Sequence, residues 1–204
     1  MEGIQAVTLD MWQAFIGAVK KILPHADTVH DRFHIAKYLS EAVDKTRRDE
    51  NRQFIKEKNY VLKNTKYLWL TSPENLTAEK RKDLEIQIQL ETETSRVWSF
   101  KDNFRHFFEF DKIKDAYDFF RNWYQAAAAL GNRHLTKVAE MLRDHLNGLL
   151  AYIEHRVTNS YAEAENSKIQ ILKASARGYH KFENFRIAIL FHFGKLDLYP
   201  HKCS

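Results

Sequence analysis

The first thirty residues contain two short apolar runs separated by one amphipathic stretch. Ile4–Leu9 is rich in β-forming residues and ends abruptly on Asp10, and Ala26–His30 is a second short run that ends on Asp31. Between them, Met11–Leu23 has apolar residues at helical spacing, with Trp12, Phe15, Ile16 and Val19 on one side, and stops at a proline. Strand, helix and strand joined by tight connections predict a βαβ unit with two parallel strands.

The rest of the chain is dominated by apolar positions three and four residues apart, which predicts helices. Phe33 to about Lys58 contains no Gly or Pro and predicts one long helix with an exposed, basic second half. Thr77 is placed to cap a helix over Ala78–Leu90. Further helices are predicted around 97–107, over 113–127 with Gly131 as the end, over 135–157 without a break, and over 160–176 and 182–193.

These elements predict a mostly α fold with a small parallel β portion, with helix over well over half of the chain. The aromatic residues of the central helices repeat at helical period, so we expect them in the core and not on a base-stacking platform. We divide the chain into residues 1–73, with the βαβ unit, the long helix and a connector; residues 74–157, an all-helical insertion; and residues 158–204, the C-terminal helices.

Composition narrows the class of protein. With 44% hydrophobic and 13% aromatic residues, the 204-residue chain can bury a core and is not a disordered protein. No apolar stretch is long enough to span a bilayer, and the N-terminus lacks a signal-peptide pattern, so we expect a cytoplasmic protein. The single cysteine, Cys203, excludes an internal disulfide and a CxxC zinc site. A bound metal would need carboxylate or histidine ligands.

The net charge of +5 is unevenly distributed. Residues 32–66 carry ten Lys and Arg against five Asp and Glu, and residues 165–204 carry seven against three. Residues 74–157 carry thirteen against fourteen, so the basic excess lies on either side of them. This placement suits a polyanion that crosses the active site. It equally suits lysine-rich, solvated helix faces.

Asp10 is the first candidate for catalysis. An apolar run that ends on an acid indicates a buried strand that delivers a carboxylate to the C-terminal edge of a sheet, where α/β active sites lie. The alternative is that Asp10 caps the following helix. Glu163 and Glu165 compete as a second acid, and because they point about 200° apart on a helix, only one can face the sheet. Asn166 shares the face of Glu163; the alternative for Glu163 is a solvent-facing side chain.

Two histidines and an aspartate lie near the second strand. His30 and His34 have the spacing of helical zinc ligands, but His30 is predicted on a strand, so we do not expect zinc. His34 can reach a substrate phosphate or hydrogen-bond near the metals, or it can be a structural histidine. Asp31 can cap the long helix or assist the metal site. Six basic side chains can contact DNA backbone or remain solvated: Lys45, Arg47, Arg48, Arg52, Lys168 and Arg177.

Six blocks, in order along nearly the whole chain, carry a resemblance to a known family. They are Leu9–Trp12, Leu23–Ala26, Asp31–His34, Glu41–Arg48, Glu163 with Asn166–Ile169, and Ala176–Tyr179 followed by Phe182–Arg186. Together they resemble the DDE transposases of bacterial insertion sequences, in particular the ISL3 group. The resemblance implies a ribonuclease-H-like catalytic domain interrupted by a helical insertion.

The resemblance also implies roles. Asp10 corresponds to the second acid of the metal-binding triad and Glu163 to the last, and Asp31 with His34 forms a D-x-x-H element near the active site. It implies Mg²⁺ or Mn²⁺ as cofactor, DNA as substrate, and DNA strand cleavage and strand transfer as activity. Ser160 and Ala164 depart from the family, which has small glycines there.

The largest departure from the family concerns the first acid, which belongs to a strand before Asp10. Only nine residues precede Asp10 here, so we expect a truncated ribonuclease-H-like fold that is inactive alone. Its partners would then be a second copy of the chain or the N-terminal part of the transposase. One alternative is a non-catalytic helical module that binds DNA or protein, and another is a helical protein unrelated to transposition.

Overall fold

A computed structural model describes residues 3–194, without the side chains of residues 161 and 162. Cys203 lies outside the described residues. The chain forms two compact units, one reaching to Thr158 and one starting at Asn159. The elements are mostly helices, accompanied by one small sheet.

The sheet is the predicted βαβ unit. Strands β1 (Ala6–Leu9) and β2 (Asp27–His30) pair in parallel, and helix α1 (Gln13–Ile22) connects them. Leu9 lies opposite His30 in the register, so both strands end at the same edge. The residues that follow the strands, Asp10 and Asp31, are therefore brought to that edge.

Helix α1 is amphipathic in sequence but little covered in the structure. Ile16 is its buried residue, whereas Trp12 and Phe15, on the same predicted apolar side, are exposed. The apolar side of a surface helix normally faces the core, so these two aromatic side chains are exceptions.

Helix α2 (Arg32–Lys56) is the long helix that the sequence predicts. Its first half buries Ile35, Leu39 and Val43. The prediction of an exposed second half is confirmed for Arg52 and Lys56, but Arg47 and Glu50 are buried because other helices cover that side.

Six further helices complete the first unit, with short 3-10 helices at Pro73–Asn75 and Arg105–Glu109. Thr77 caps the start of one helix and Gly131 the end of another, as predicted: the Thr77 hydroxyl accepts from the Lys80 amide, and Gly131 has a left-handed φ of 71°. The helices are α3 (Lys66–Leu70), α4 (Ala78–Gln89), α5 (Glu93–Phe104), α6 (Ile113–Leu130), α7 (Arg133–Asp144) and α8 (Leu146–His155).

The predicted unbroken helix over 135–157 is wrong, because His145 separates α7 from α8. His145 has φ −112° and ψ 16°, outside the helical range. Its ring Nδ1 lies 2.8 Å from the carbonyl oxygen of Met141. A spacing of threes and fours continues across such a break, so apolar periodicity alone does not reveal it.

The core of the first unit is aromatic, as predicted. Phe104 and Phe107 are fully buried and stack at 5.3 Å between ring centroids, and Trp123 meets Phe104 edge to face at 4.7 Å. Such ring pairs stabilise the fold beyond the effect of the apolar area that they bury. The central aromatic residues are thus packing residues.

The second unit contains α9 (Ser160–Ser175) and α10 (Phe182–Phe193), which match the predicted helices closely. Between them Gly178 has φ 96°, a conformation that favours glycine. None of the helices described between residues 3 and 194 combines the length and the apolar character needed to cross a membrane.

Candidate active site

Asp10 lies immediately after β1, with its side chain 38% exposed. Its Oδ1 accepts a hydrogen bond from the Met11 amide at 2.7 Å. The residue at the N-cap of α1 is Trp12 and not Asp10, so the carboxylate does not serve as a helix cap. It remains accessible to a ligand from solvent.

His34 is an ionisable partner of Asp10. Its Nδ1 lies 3.6 Å from Asp10 Oδ2, and its side chain is 23% exposed. The ring comes from the first turn of α2, which starts where β2 ends. The βαβ unit thus brings together Asp10 and His34, which are 24 positions apart in the chain.

Asp31 has the first of its two predicted roles. It is buried at the N-cap of α2, where Oδ1 accepts a hydrogen bond from the Phe33 amide at 2.7 Å. A carboxylate at this position satisfies an amide that has no partner within the helix. By fixing the start of α2, Asp31 also fixes the position of His34.

Tyr38 belongs to the same region, and sequence reasoning missed it. It lies one helical turn after His34 on α2. Burial raises the pKa of the Tyr38 hydroxyl, and the negative charges of Asp10 and Glu41 raise it further. The i+4 spacing from His34 was the signal in the sequence that could have identified it.

Glu163 lies in the first turn of α9, in the second unit, and its side chain is exposed. Asn166, one turn later, is also exposed. The competing acid, Glu165, is less exposed and forms an ion pair with Lys168 at 2.8 Å. The two acids thus differ in exposure, and Glu163 is the more exposed of the two.

The six predicted DNA-contacting side chains differ in exposure. Lys45, Arg48 and Arg52 are exposed along α2, and each forms an ion pair with an acid of the same helix. Lys168 and Arg177 are exposed in the second unit. Arg47, in contrast, is buried and donates to Asp44 Oδ1 from Nη2 at 2.8 Å. A guanidinium that is buried and paired in this way does not reach a phosphate on the surface.

His30 is a buried structural histidine at the end of β2. Its Nδ1 lies 3.4 Å from the Leu9 carbonyl oxygen, and its ring meets that of His145 at 5.4 Å. Burial is the main cause that lowers the pKa of His30, and the nearby His145 lowers it further, although the Leu9 carbonyl opposes this shift. His30 packs the sheet against the break between α7 and α8.

A second group of metal-type ligands lies at the other end of β2. One oxygen each from Asp27 and Glu154 and one ring nitrogen of His155 lie within 4.8 Å of one another. His155 Nε2 lies 2.8 Å from Asp27 Oδ2. Sequence reasoning missed this group, because Asp27 is 127 positions from Glu154 and no motif spacing connects them.

The donors at Asp10 suit a hard divalent cation. Mg²⁺ and Mn²⁺ prefer oxygen ligands and keep several waters. The Asp10 carboxylate is partly exposed, so it can take a hydrated cation. The carboxylate of Glu163, in the second unit, is also exposed and can take a hydrated cation.

Comparison with known proteins gives one family. A family model described as a transposase matches residues 1–189. This model represents the ISL3 group of DDE transposases. Over 189 residues the chain is 28% identical to the transposase for insertion sequence element IS1001 from Bordetella parapertussis. That alignment covers 91% of this chain and 47% of the relative, so the chain spans about half the length of the curated protein it matches. No solved structure matches the chain.

Proposed function

The chain belongs to the ISL3 group of DDE transposases, and from that premise we propose that it acts in DNA transposition by supplying two carboxylates, Asp10 and Glu163, to a divalent metal site. The observation that carries the proposal is the position of Asp10. It follows the parallel strand β1 and is partly exposed, and its Oδ2 lies 3.6 Å from His34 Nδ1. The transposase match spans the positions of both acids.

The fold we propose for the intact catalytic domain is ribonuclease-H-like. In such a domain β1 and β2 would be two strands of a larger sheet, and the helices of residues 74–157 would be an insertion. The parallel pairing of β1 with β2 and the connecting helix α1 support this proposal. The C-terminal part, which starts at residue 158, would belong to the same domain and supply Glu163.

The proposed cofactor is Mg²⁺ or Mn²⁺. When bound, a pair of these ions activates the attacking water or 3′-hydroxyl and stabilises the leaving oxygen of the phosphodiester. Asp10 and Glu163 would hold the cation through carboxylate oxygens. Asn166 lies on the same helix as Glu163 and would bind near it, and Asp31 would act indirectly by fixing the start of α2.

His34 has a role that does not require it to bind metal. Its Nδ1 lies 3.6 Å from Asp10 Oδ2, so the ring would donate to a phosphate oxygen of DNA bound at that carboxylate. We propose this positioning role for His34.

The proposed DNA-contacting residues are Lys45, Arg48 and Arg52 on α2, with Lys168 and Arg177 near Glu163. We leave out Arg47 because it is buried and paired with Asp44. Exposed Lys and Arg side chains that neutralise phosphates give affinity without sequence preference.

We do not assign the first acid of the triad to any of the 204 residues. Two carboxylates can hold a cation weakly, but they do not complete a two-metal site. We therefore propose that these residues alone do not cleave DNA, and that the N-terminal part of a transposase supplies the first acid.

Manganese titration tests the proposal. We expect the chain to bind Mn²⁺ with an affinity in about the millimolar range, and Asp10→Asn and Glu163→Gln each to abolish that binding. Glu165→Gln is the matched control, because Glu165 lies on the same helix but pairs with Lys168. Binding that is lost in Glu165→Gln and kept in Glu163→Gln would overturn the assignment.

DNA binding that depends on salt and survives in a chain unable to bind Mn²⁺ would support the alternative, a non-catalytic helical DNA-binding module. The exposed arginines of α2 are the feature that favours it. Efficient metal-dependent nicking by the 204 residues, lost in Asp10→Ala, would show that a residue of this chain supplies the first acid.

A further inference from the structure

Two exposed aromatic residues follow the candidate catalytic residue Asp10 in the chain. Trp12 is 61% exposed and Phe15 is 52% exposed. Their rings touch edge to face, with 4.8 Å between centroids. The other three tryptophans of the chain, Trp69, Trp98 and Trp123, are all buried. An exposed tryptophan is therefore the exception in this protein, and it lies two residues after Asp10.

The backbone fixes Trp12 relative to Asp10. The Trp12 amide donates to the Asp10 carbonyl oxygen at 2.7 Å, and the Trp12 carbonyl accepts from the amides of Phe15 and Ile16 at 3.0 and 3.1 Å. Trp12 is thus held between the end of β1 and the start of α1. Its backbone is therefore fixed next to that of Asp10.

A third exposed ring comes from the other element of the site. Phe33 is 63% exposed, and its ring meets that of His34 at 5.9 Å. His34 in turn lies 3.6 Å from Asp10. Exposed aromatic side chains are therefore present on both chain segments that form the Asp10 site.

The charges near these rings favour a polyanion. Helix α1 carries Lys20 and Lys21 and contains no acidic residue. At the start of α2, Arg32 and Lys37 are exposed. An apolar protein partner needs no such cations, whereas nucleic acid presents aromatic bases together with phosphates, and proteins bind single strands by combining these two kinds of contact.

We propose that Trp12, supported by Phe15, stacks on an unpaired nucleobase of the DNA whose phosphodiester is bound at Asp10. This inference rests on the proposed function and names a contact that positions the substrate. A base that leaves its duplex loses its stacking partners, and an exposed indole replaces one of them. The scissile phosphate of the same strand is then presented to the neighbouring carboxylate.

Tryptophan fluorescence measures this contact directly, since the three other tryptophans are buried. The probes are a single-stranded thymidine oligonucleotide, the same length of abasic strand, and a duplex of that length. We expect the thymidine strand to quench the wild-type emission, and the abasic strand to quench it much less. In Trp12→Phe the quenching should disappear.

Affinity is measured in parallel by anisotropy of labelled strands. Trp12→Ala should weaken binding of the thymidine strand by roughly five- to one-hundred-fold, the range for one stacked base, and leave duplex binding within about two-fold. Tyr67→Ala is the matched control, because Tyr67 is an exposed aromatic residue beside a lysine, Lys66, on another helix. It should change neither affinity.

The outcomes separate the two proposals. Equal affinity of Trp12→Ala and wild type for the thymidine strand, with duplex binding intact, would overturn the stacking contact and leave the proposed function standing. Failure of the wild-type chain to bind any of the three DNA probes would count against both. Quenching by the abasic strand as strong as by the thymidine strand would also overturn stacking.

Discussion

The ring of His30 occupies the space that a side chain at position 148 would need. A Cβ on Gly148 would lie 2.2 Å from His30 Cδ2 and 2.5 Å from Nε2. His30 is buried at the end of β2, and Gly148 lies in α8. The glycine therefore allows a helix to pack directly on the strand end that precedes the candidate site.

Gly148→Ala should destabilise the chain by about 1–3 kcal/mol, the usual cost of overpacking a buried site. The measurement is urea unfolding followed by far-UV circular dichroism. Gly17→Ala is the matched control, since Gly17 is also helical but nothing lies within 4 Å of its Cβ position. That variant should be neutral or stabilised by up to about 1 kcal/mol. Equal stability of the two variants would contradict the tight contact.

His30 makes stability depend on pH in a defined direction. Burial lowers its pKa from 6.5, so the folded state favours the neutral ring and the unfolded chain binds the proton more readily. The stability that the neutral His30 ring contributes is therefore fully present above about pH 6.5, and it is lost as the pH falls below that value. Groups near the ring include His145 and Asp10.

We expect the wild-type chain to lose more stability than His30→Gln between about pH 7.5 and pH 5.5. The difference should not exceed about 1.4 kcal/mol per pH unit for one group. Urea unfolding at both pH values gives the free energies. An NMR titration of the His30 ring that gives an apparent pKa above 6.5 would reverse the sign of the argument.

Glu50 is a buried carboxylate that holds α2 to the start of α5. It accepts from the amides of Glu93 and Thr94, both at 2.8 Å, and from the Thr94 hydroxyl at 2.6 Å. Glu50→Ala should cost about 2–4 kcal/mol, because it leaves buried donors of a helix N-terminus without an acceptor. Glu41→Ala on the same helix, which removes only the half-exposed pair with Lys45, should cost less than about 0.5 kcal/mol. Thermal unfolding of both variants tests this difference.

The sequence predicts the order of elements well because local rules decide it. The parallel pair β1 and β2, the cap at Thr77 and the end of α6 at Gly131 all follow from apolar spacing and capping chemistry. Asp10 was identified for the same reason, since an acid after an apolar run is a local pattern.

What the sequence does not predict depends on contacts between distant residues. Glu50 is buried in the second half of α2 because it meets Thr94, 44 positions away. At the break between α7 and α8, the His145 ring contacts His30, a residue of a distant strand, and no periodicity shows this break. Trp12 is exposed although it lies on the apolar side of an amphipathic stretch. The whole fold, and not the local pattern, decides which helix faces are covered.

Arg52 should contact DNA from the exposed side of α2. Arg52→Ala should weaken binding of duplex DNA a few-fold. It should also reduce the slope of log K against log salt concentration by about one, because one phosphate contact is lost. Arg121→Ala is closely matched, because Arg121 on α6 is also exposed and also pairs with an aspartate three residues earlier. Anisotropy titrations at several salt concentrations measure both variants. The same loss in both would mean that binding is not localised on α2.

The central claim is that Asp10 and Glu163 hold one divalent cation, and iron-mediated cleavage of the chain tests it most directly. Fe²⁺ binds oxygen-rich sites of this kind, and with ascorbate and peroxide it cuts the backbone close to where it is bound. We predict cuts near both Asp10 and Glu163, all lost in Asp10→Asn and all suppressed by excess Mg²⁺. Cuts near only one of the two acids, or cuts confined to the Asp27, Glu154 and His155 group, would contradict the account.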